Sequence, residues 1–271
     1  MPPTAGHTEE TSMTSSMTTI HHINCGTLLV RGYPTVVCHC LLLEDQSGLA
    51  LVDTGIGLLD VQHPVERLGK ELIDLAGFQF HEEDTAVRRI EKLGFSPEEV
   101  KHICLTHGDP DHAGGLADFP NARIHISQEE LDHLRSGHWR YVSSQFEHQP
   151  QWHPHTSVGR KWFGLDARPL PLGFSSEILL VPLFGHTLGH CGVAIQQGNR
   201  WLLHVGDAYY LQAELMQDDH PVSAITTQRA DNDEWRRTSL SELRRLMKDH
   251  RDEIDMIGYH DITELPELAA P

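Results

Sequence analysis

The sequence predicts a layered α/β fold of the α+β kind, with blocks of strands covered by helices. Three observations carry this. Apolar runs of strand length come in blocks, with helical patterns between the blocks and no strict βαβ alternation. Two of these runs, Leu49 to Gly55 and Trp201 to Ala208, echo one another as apolar strands ending at an Asp, as two similar halves set face to face would. Clusters of His and Asp fall at strand exits, which places them along one edge of such a pair of sheets.

Residues 1–19 are rich in Thr, Ser, Met and Pro and lack the basic and apolar regions of a secretory leader. They predict a disordered tail ahead of a folded domain over 20–271, and a cytoplasmic protein. Ile20 to Val30 and Thr35 to Glu44 read as strands joined by a turn at Gly32-Tyr33-Pro34, and Gly48 to Asp53 as a third strand. A helix is expected from Asp84 to Leu93, with Asp84 as cap, Ala86, Val87, Ile90 and Leu93 on one face and Gly94 as terminator. Ser96-Pro97-Glu98-Glu99 has the form of a capping box.

His102 to Thr106 and Arg123 to Ile126 read as short strands, and Gln128 to Arg135 as a helix. From Ser136 to Gly173 no period emerges. The part from Gln145 to Leu172, with Phe146, Trp152, Trp162, Phe163, His148, His153 and His155, is expected to be a wall or lid of a substrate pocket or a dimer contact, with its histidines solvated. Strands resume at Ile178 to Leu183, Gly192 to Gln197 and Arg200 to Val205. A helix is expected after Ser239, with Glu242 completing a capping box, and Glu253 to Ile257 is a last strand.

The formal net charge of −18 over 271 residues opposes phosphate backbones, so no nucleic-acid partner is expected. No apolar run approaches the roughly 18 residues of a membrane span, so no membrane partner is expected either. Five scattered cysteines, Cys25, Cys38, Cys40, Cys104 and Cys191, make a poor disulfide framework and read as buried free thiols. On a strand Cys38 and Cys40 face one side and His39 the other, a spacing unsuited to a zinc knuckle.

The strongest chemical signal is Thr106-His107-Gly108-Asp109-Pro110-Asp111-His112-Ala113-Gly114-Gly115, in which four potential ligands fall within six positions after an apolar strand. A loop cannot bury so many polar side chains without partners, and divalent metal ions satisfy them. Three weaker patches also lie at strand exits: Gly185-His186-Thr187-Leu188-Gly189-His190, Val205-Gly206-Asp207 and Gly258-Tyr259-His260-Asp261.

With these motifs the chain resembles the metallo-β-lactamase superfamily over nearly all of residues 20–271. Leu51-Val52-Asp53-Thr54-Gly55 is similar to the family's early Asp motif and 107–112 to its H-x-H-x-D-H motif. His186, Asp207 and His260 fall where the later ligands belong. The resemblance implies an αββα sandwich with two divalent metal ions at one edge of its sheets. One ion takes His107, Asp109, His186 and bridging Asp207, and the other takes Asp111, His112, His260 and the same Asp207. Asp53 is expected to anchor ligands and not to bind. His190, like His21, His22 and His39, is read as a solvated histidine, the other reading being that it orients His186 or bridging groups.

Asp109 departs from the family pattern, which has His there. Either it binds and shifts the preference from Zn toward Fe or Mn, or its shorter arm leaves the first site weak. Tyr210, three positions after Asp207, matches a tyrosine that approaches the substrate carbonyl in acyl-homoserine lactonases; the other reading is a packed aromatic beside the site. The resemblance implies a hydrolase acting on a small-molecule lactone or ester through a hydroxide shared by two metals. A homodimer is left open by the sequence itself. Tyr210 would steady the oxyanion and Asp111 would pass a proton to the leaving alkoxide. A diiron redox enzyme on the same fold, or a phosphotriester or thioester hydrolase, is the alternative.

Overall fold

Strands that are apolar on both faces force two sheets together and leave each sheet's far side to be covered by helices. The structure, a computed structural model, describes residues 17–156 and 159–266. Most of the expected tail therefore lies outside the described residues. Within them Thr18 is buried and Thr19 already opens the first strand, so the fold begins before residue 20.

The first sheet holds β1 (Thr19–Leu28), β2 (Val36–Asp45), β3 (Gly48–Val52), β4 (Phe78–Gln79), β5 (Val100–Cys104), β6 (Arg123–Ser127) and β7 (Gln151–His155), in the order β4-β1-β2-β3-β5-β6-β7. The second holds β8 (Arg160–Trp162), β9 (Leu165–Pro169), β10 (Ile178–Pro182), β11 (Cys191–Gln197), β12 (Arg200–His204) and β13 (Ile254–Ile257), in the order β13-β12-β11-β10-β9-β8. Pairing is parallel from β3 through β5 and β6 to β7, and between β12 and β13.

The layers follow from the side chains. Leu41, Leu43, Ala50, Val52, Leu180 and Val193 belong to the core between the sheets. Leu42, Leu51 and Ile103 alternate to the other side, into a core with Ile90 and Leu116. Leu179, Val181 and Leu203 pack with Leu240, Leu243 and Leu246 of the helix Asp233–Asp249. The result is an αββα sandwich. All five cysteines are free and buried, and no helix among the described residues is long and apolar enough to cross a membrane.

Most strand bounds agree with the pattern to within one or two residues, but the capping residues of two helices do not. Asp84 is engaged by Arg89 at 2.6 Å, and the helix runs Ala86–Lys92 behind Thr85. The last long helix begins well before Ser239. Asn232 caps it by accepting from the Trp235 amide at 3.0 Å, and Ser239 lies inside it, donating to the Phe184 carbonyl at 2.8 Å.

The stretch without a sequence period is more ordered than expected. It contains β7, which extends the first sheet, and the β8–β9 hairpin, which ends the second. Trp162 is buried edge-on to Trp201 at 5.6 Å, and Phe146 packs with Trp152 at 5.8 Å. Among the described residues, none from 145–172 lines the cavity described below; those of β7 to β9 extend the two sheets.

Candidate metal centre

Parallel pairing sends β3 and β5 off the same edge of their sheet, and β12 and β13 off the same edge of theirs. Val52 leads to Asp53, Cys104 to the 107–112 motif, His204 to Asp207 and Ile257 to His260. The turn between β10 and β11 brings in His186. All seven expected ligand residues meet at this edge.

Asp53 organises the first sheet's contribution. It holds a left-handed backbone at φ 56°, a conformation that costs a non-glycine residue free energy and persists only when neighbours fix it. Its carboxylate accepts from the Thr106 amide and hydroxyl, both at 2.8 Å, and pairs with His112 Nδ1 at 2.8 Å. His112 Nε2 is thereby turned inward. His260 is oriented the same way by the Val37 carbonyl, 2.9 Å from its Nδ1. Such outer partners set the tautomer and aim of a metal-facing imidazole.

The inward atoms converge on Asp207. Its carboxylate lies 3.2 Å from His112 Nε2, 3.3 Å from His260 Nε2, 3.4 Å from His186 Nε2 and 3.9 Å from His107 Nε2. His107, His186 and Asp207 offer ligand atoms within 4.8 Å of one another, as do Asp111, His112 and His260. His107 Nε2, His112 Nε2 and Asp207 Oδ1 are buried with no hydrogen-bond partner among the described residues. Buried polar atoms left without partners cost about 1–3 kcal/mol each, and a mixed nitrogen–oxygen donor set is what divalent metals of the zinc type accept. The residues therefore fit a pair of divalent ions.

The electrostatics point the same way. Burial opposes charge on Asp207, yet His260, His112 and His186 hold it well below the usual carboxylate range. Burial, helped by His112, holds His107 well below the ordinary imidazole value. Asp207 is anchored through its backbone. Gly206 turns the chain at φ 55°, where a Cβ would come within 2.6 Å of His190 Nε2. That nitrogen instead accepts from the Asp207 amide at 2.9 Å, while His190 Nδ1 pairs with the Leu183 carbonyl at 2.9 Å. His190 thus supports Asp207 and faces no open ligand position.

Asp109 reaches the centre but is already engaged. Arg140, buried, donates to Oδ1 at 2.7 Å and to Oδ2 at 2.9 Å, a two-pronged ion pair. The same guanidinium contacts the His186 carbonyl at 2.8 Å, His186 Nε2 at 3.0 Å and Asp231 at 2.7 Å. Sequence reasoning misses Arg140, because nothing local marks an Arg that finds its partner 31 positions away. It misses Glu130 as well. Glu130 is buried, accepts from the Gly108 amide at 2.9 Å, from Tyr141 at 2.9 Å and from Thr187, and so ties the motif loop to the His186 turn. An acid beside Leu131 on the inward side of a helix was the available signal.

Tyr259 stacks on His112 with centroids 3.7 Å apart and donates to the Asp111 carbonyl at 2.5 Å. Tyr210 stands edge-on to His260 at 5.0 Å and to His186 at 5.9 Å. Its ring lines a cavity of about 810 Å³ whose floor includes Asp109, Asp111, Asp207 and His260 and whose walls are mostly apolar, with Leu28, Val36, Leu72, Phe78, Val222 and Ile225. Trp139 and Arg229 stand at its rim, the guanidinium 5.5 Å over the indole ring.

Comparison with known proteins matches residues 33–249 to the family described as the metallo-beta-lactamase superfamily. A probable metallo-hydrolase of Mycobacterium tuberculosis is 42% identical over 205 residues, which are 72% of this chain and 64% of that relative. The chain thus spans less than two thirds of that relative's length. An N-acyl homoserine lactonase of Bacillus cereus is 32% identical over 100 residues, 34% of this chain and 37% of the relative. Among solved structures, an N-acyl homoserine lactone hydrolase with N-hexanoyl-L-homoserine bound at its catalytic metal centre superposes with a TM-score of 0.72 and 20% identity, over 94% of this chain and 96% of that one. At that identity the likeness establishes the fold.

Proposed function

Because the chain belongs to the metallo-β-lactamase superfamily, we propose that it is a metal-dependent hydrolase of lactones or esters, working with two divalent ions. His107, His186 and Asp207 would hold one ion, and Asp111, His112 and His260, with Asp207 shared, the other. The observation that carries this reading is the set of buried, unpartnered nitrogen and oxygen atoms that converge at one sheet edge. Divalent ions in such a cage lower the pKa of water toward neutrality and polarise a carbonyl oxygen.

The chain's own residues supply the rest. The Tyr210 hydroxyl has no hydrogen-bond partner among the described residues. Its ring stands between His186 and His260, where the hydroxyl can donate to a carbonyl oxygen as it gains charge. Asp111 lies at the cavity floor 3.6 Å from His260 and is the group placed to take the proton released by the attacking water and hand it to the leaving alkoxide. The apolar walls suit a substrate with an acyl or alkyl arm and exclude water from it. Tyr210→Phe is expected to lower kcat by about 100-fold with metal content unchanged, measured by steady-state kinetics beside metal analysis.

Asp109 is read as the counter-ion of Arg140 and not as a full ligand. The first ion then rests on three protein ligands and binds more weakly than the second. The ground for preferring iron or manganese, a free carboxylate at 109, falls away with it, and so does the main support for a diiron redox centre. Zinc is the expected metal. The test is a screen of lactones and esters with chelator-stripped and zinc-restored protein. Zinc-dependent turnover is expected, and full turnover by stripped protein would defeat the proposal.

A further inference from the structure

A second group of possible ligands lies outside the centre just described. His133 comes from the last turn of the helix Gln128–Arg135, His138 from the loop that follows, and Asp231 from the segment entering the helix Asp233–Asp249. Each offers one ligand atom within 4.8 Å of the other two. His133 Nδ1 lies 3.5 Å from Asp231 Oδ2, near the spacing of two donors on one zinc-sized ion, and the two imidazoles stand 4.5 Å apart between centroids.

Two polar atoms of the group, His138 Nδ1 and Asp231 Oδ2, are buried and make no hydrogen bond among the described residues. The other Asp231 oxygen pairs with Arg140 at 2.7 Å, in the way a ligating carboxylate is held from behind. The scaffold is firm: the Asp231 amide donates to the His186 carbonyl at 3.0 Å, and the Tyr141 amide to the His138 carbonyl at 3.2 Å. Tyr141 competes for His133, its hydroxyl 2.8 Å from the same Nδ1. Metal binding exchanges that hydrogen bond for a metal–nitrogen bond and leaves the hydroxyl its bond to Glu130, at 2.9 Å.

We propose that His133, His138 and Asp231 form a third site for a divalent transition metal, distinct in its ligands from the catalytic pair. Two imidazoles and one carboxylate favour zinc, cobalt, nickel or copper over calcium or magnesium, with water completing the shell. Occupancy fastens the 136–141 loop to the segment before the last long helix. That loop carries Trp139 at the cavity rim and Arg140 on Asp109, so the site secures one side of the cavity without touching substrate.

The test is a metal count that does not depend on catalysis. Stripped full-length protein is loaded with zinc, desalted and analysed for metal per chain. His138→Gln and His133→Gln are each expected to hold one equivalent less than the wild type, with the fold checked by circular dichroism. A second measurement uses cobalt in the His107→Ala/His112→Ala background, where the catalytic pair is disabled. A visible cobalt band should persist there and vanish when His138→Gln is added. A wild-type count in folded His138→Gln protein, or no cobalt band in the folded double variant, overturns the proposal; neither result bears on whether the catalytic pair binds metal.

Discussion

Two groups of buried and half-buried histidines use the same side chain to opposite ends. Across β5, β6 and β7, His102 Nδ1 meets His125 Nε2 at 3.0 Å and His125 Nδ1 meets His155 Nε2 at 2.9 Å. Each link joins one ring's N–H to the next ring's lone pair, and burial holds all three rings below the ordinary imidazole value, so the row is made of neutral imidazoles and needs no ion. At the sheet edge, His112 and His260 use Nδ1 on Asp53 and on the Val37 carbonyl and present Nε2 to Asp207. Burial alone therefore does not mark a metal-binding histidine. What marks it is an outer partner on one nitrogen, an acid in front of the other, and no imidazole to close the circuit.

The most severe way to test that distinction is to remove a ring from each group. His112→Ala is expected to abolish zinc-dependent turnover and empty the second ion's site, while the folded protein survives. Metal analysis with far-ultraviolet circular dichroism reads both. A folded variant that retains two tightly bound ions at the centre would deny His112 its place.

Arg140 comes next. Removing one member of a buried ion pair strands the other, at a cost of about 3–5 kcal/mol. Arg140→Met should therefore destabilise the stripped protein by that order. Zinc should recover much of the loss, because the released Asp109 lies 3.2 Å from His186 Nε2 and 3.6 Å from His107 Nε2 and becomes a ligand. Urea unfolding with and without zinc measures both quantities. If zinc stabilises wild type and variant equally, Asp109 is not restrained in the way proposed.

Asp53→Asn keeps the shape of the anchor behind His112 but removes its charge. Loss of an outer partner of this kind typically costs about 10–100-fold in metal affinity. Competition with a zinc indicator should show a shift in that range, and an unchanged affinity would reduce Asp53 to a backbone brace for Thr106.

The distinction between the two histidine groups is only partly legible in the chain. Ligands stand out because each follows an apolar run, and strands are legible because both faces are buried. The pairings that set the two groups apart join distant residues: Arg140 to Asp109, His112 to Asp53, His125 to His102. Local pattern carries no trace of them. The helix start at Asn232 escapes the sequence pattern because Ser239 and Glu242 imitate a cap, and only the contact of Ser239 with Phe184 reveals the serine as internal. The helices Leu58–Gln62, Pro64–Leu68 and Lys70–Ala76 are too short for a helical period to register. β7 to β9 are brief segments whose mix of Pro, His and charge breaks strand alternation.

The mildest change probes the row of neutral rings. Burial first, then His102 and His155, lowers His125 from 6.5 to about 3. Between those values the unfolded chain binds a proton there that the folded one refuses, so stability rises with pH across the window. The contribution is whole above 6.5 and is lost as pH falls toward 3. Glu130, Asp118 and Glu264, pushed up by burial to about 7, tilt the other way over part of the same range, so the wild-type curve alone decides nothing. The difference from His125→Gln isolates the ring. In metal-free protein, the wild type should lose about 1.4 kcal/mol more than the variant for each pH unit below 6.5. Urea unfolding at a few points between neutrality and mild acid measures it. Parallel curves would mean that His125 takes up a proton in the folded protein and that the row is not a circuit of neutral imidazoles, which would leave the unpartnered Nε2 atoms at the sheet edge as a weaker mark of metal binding.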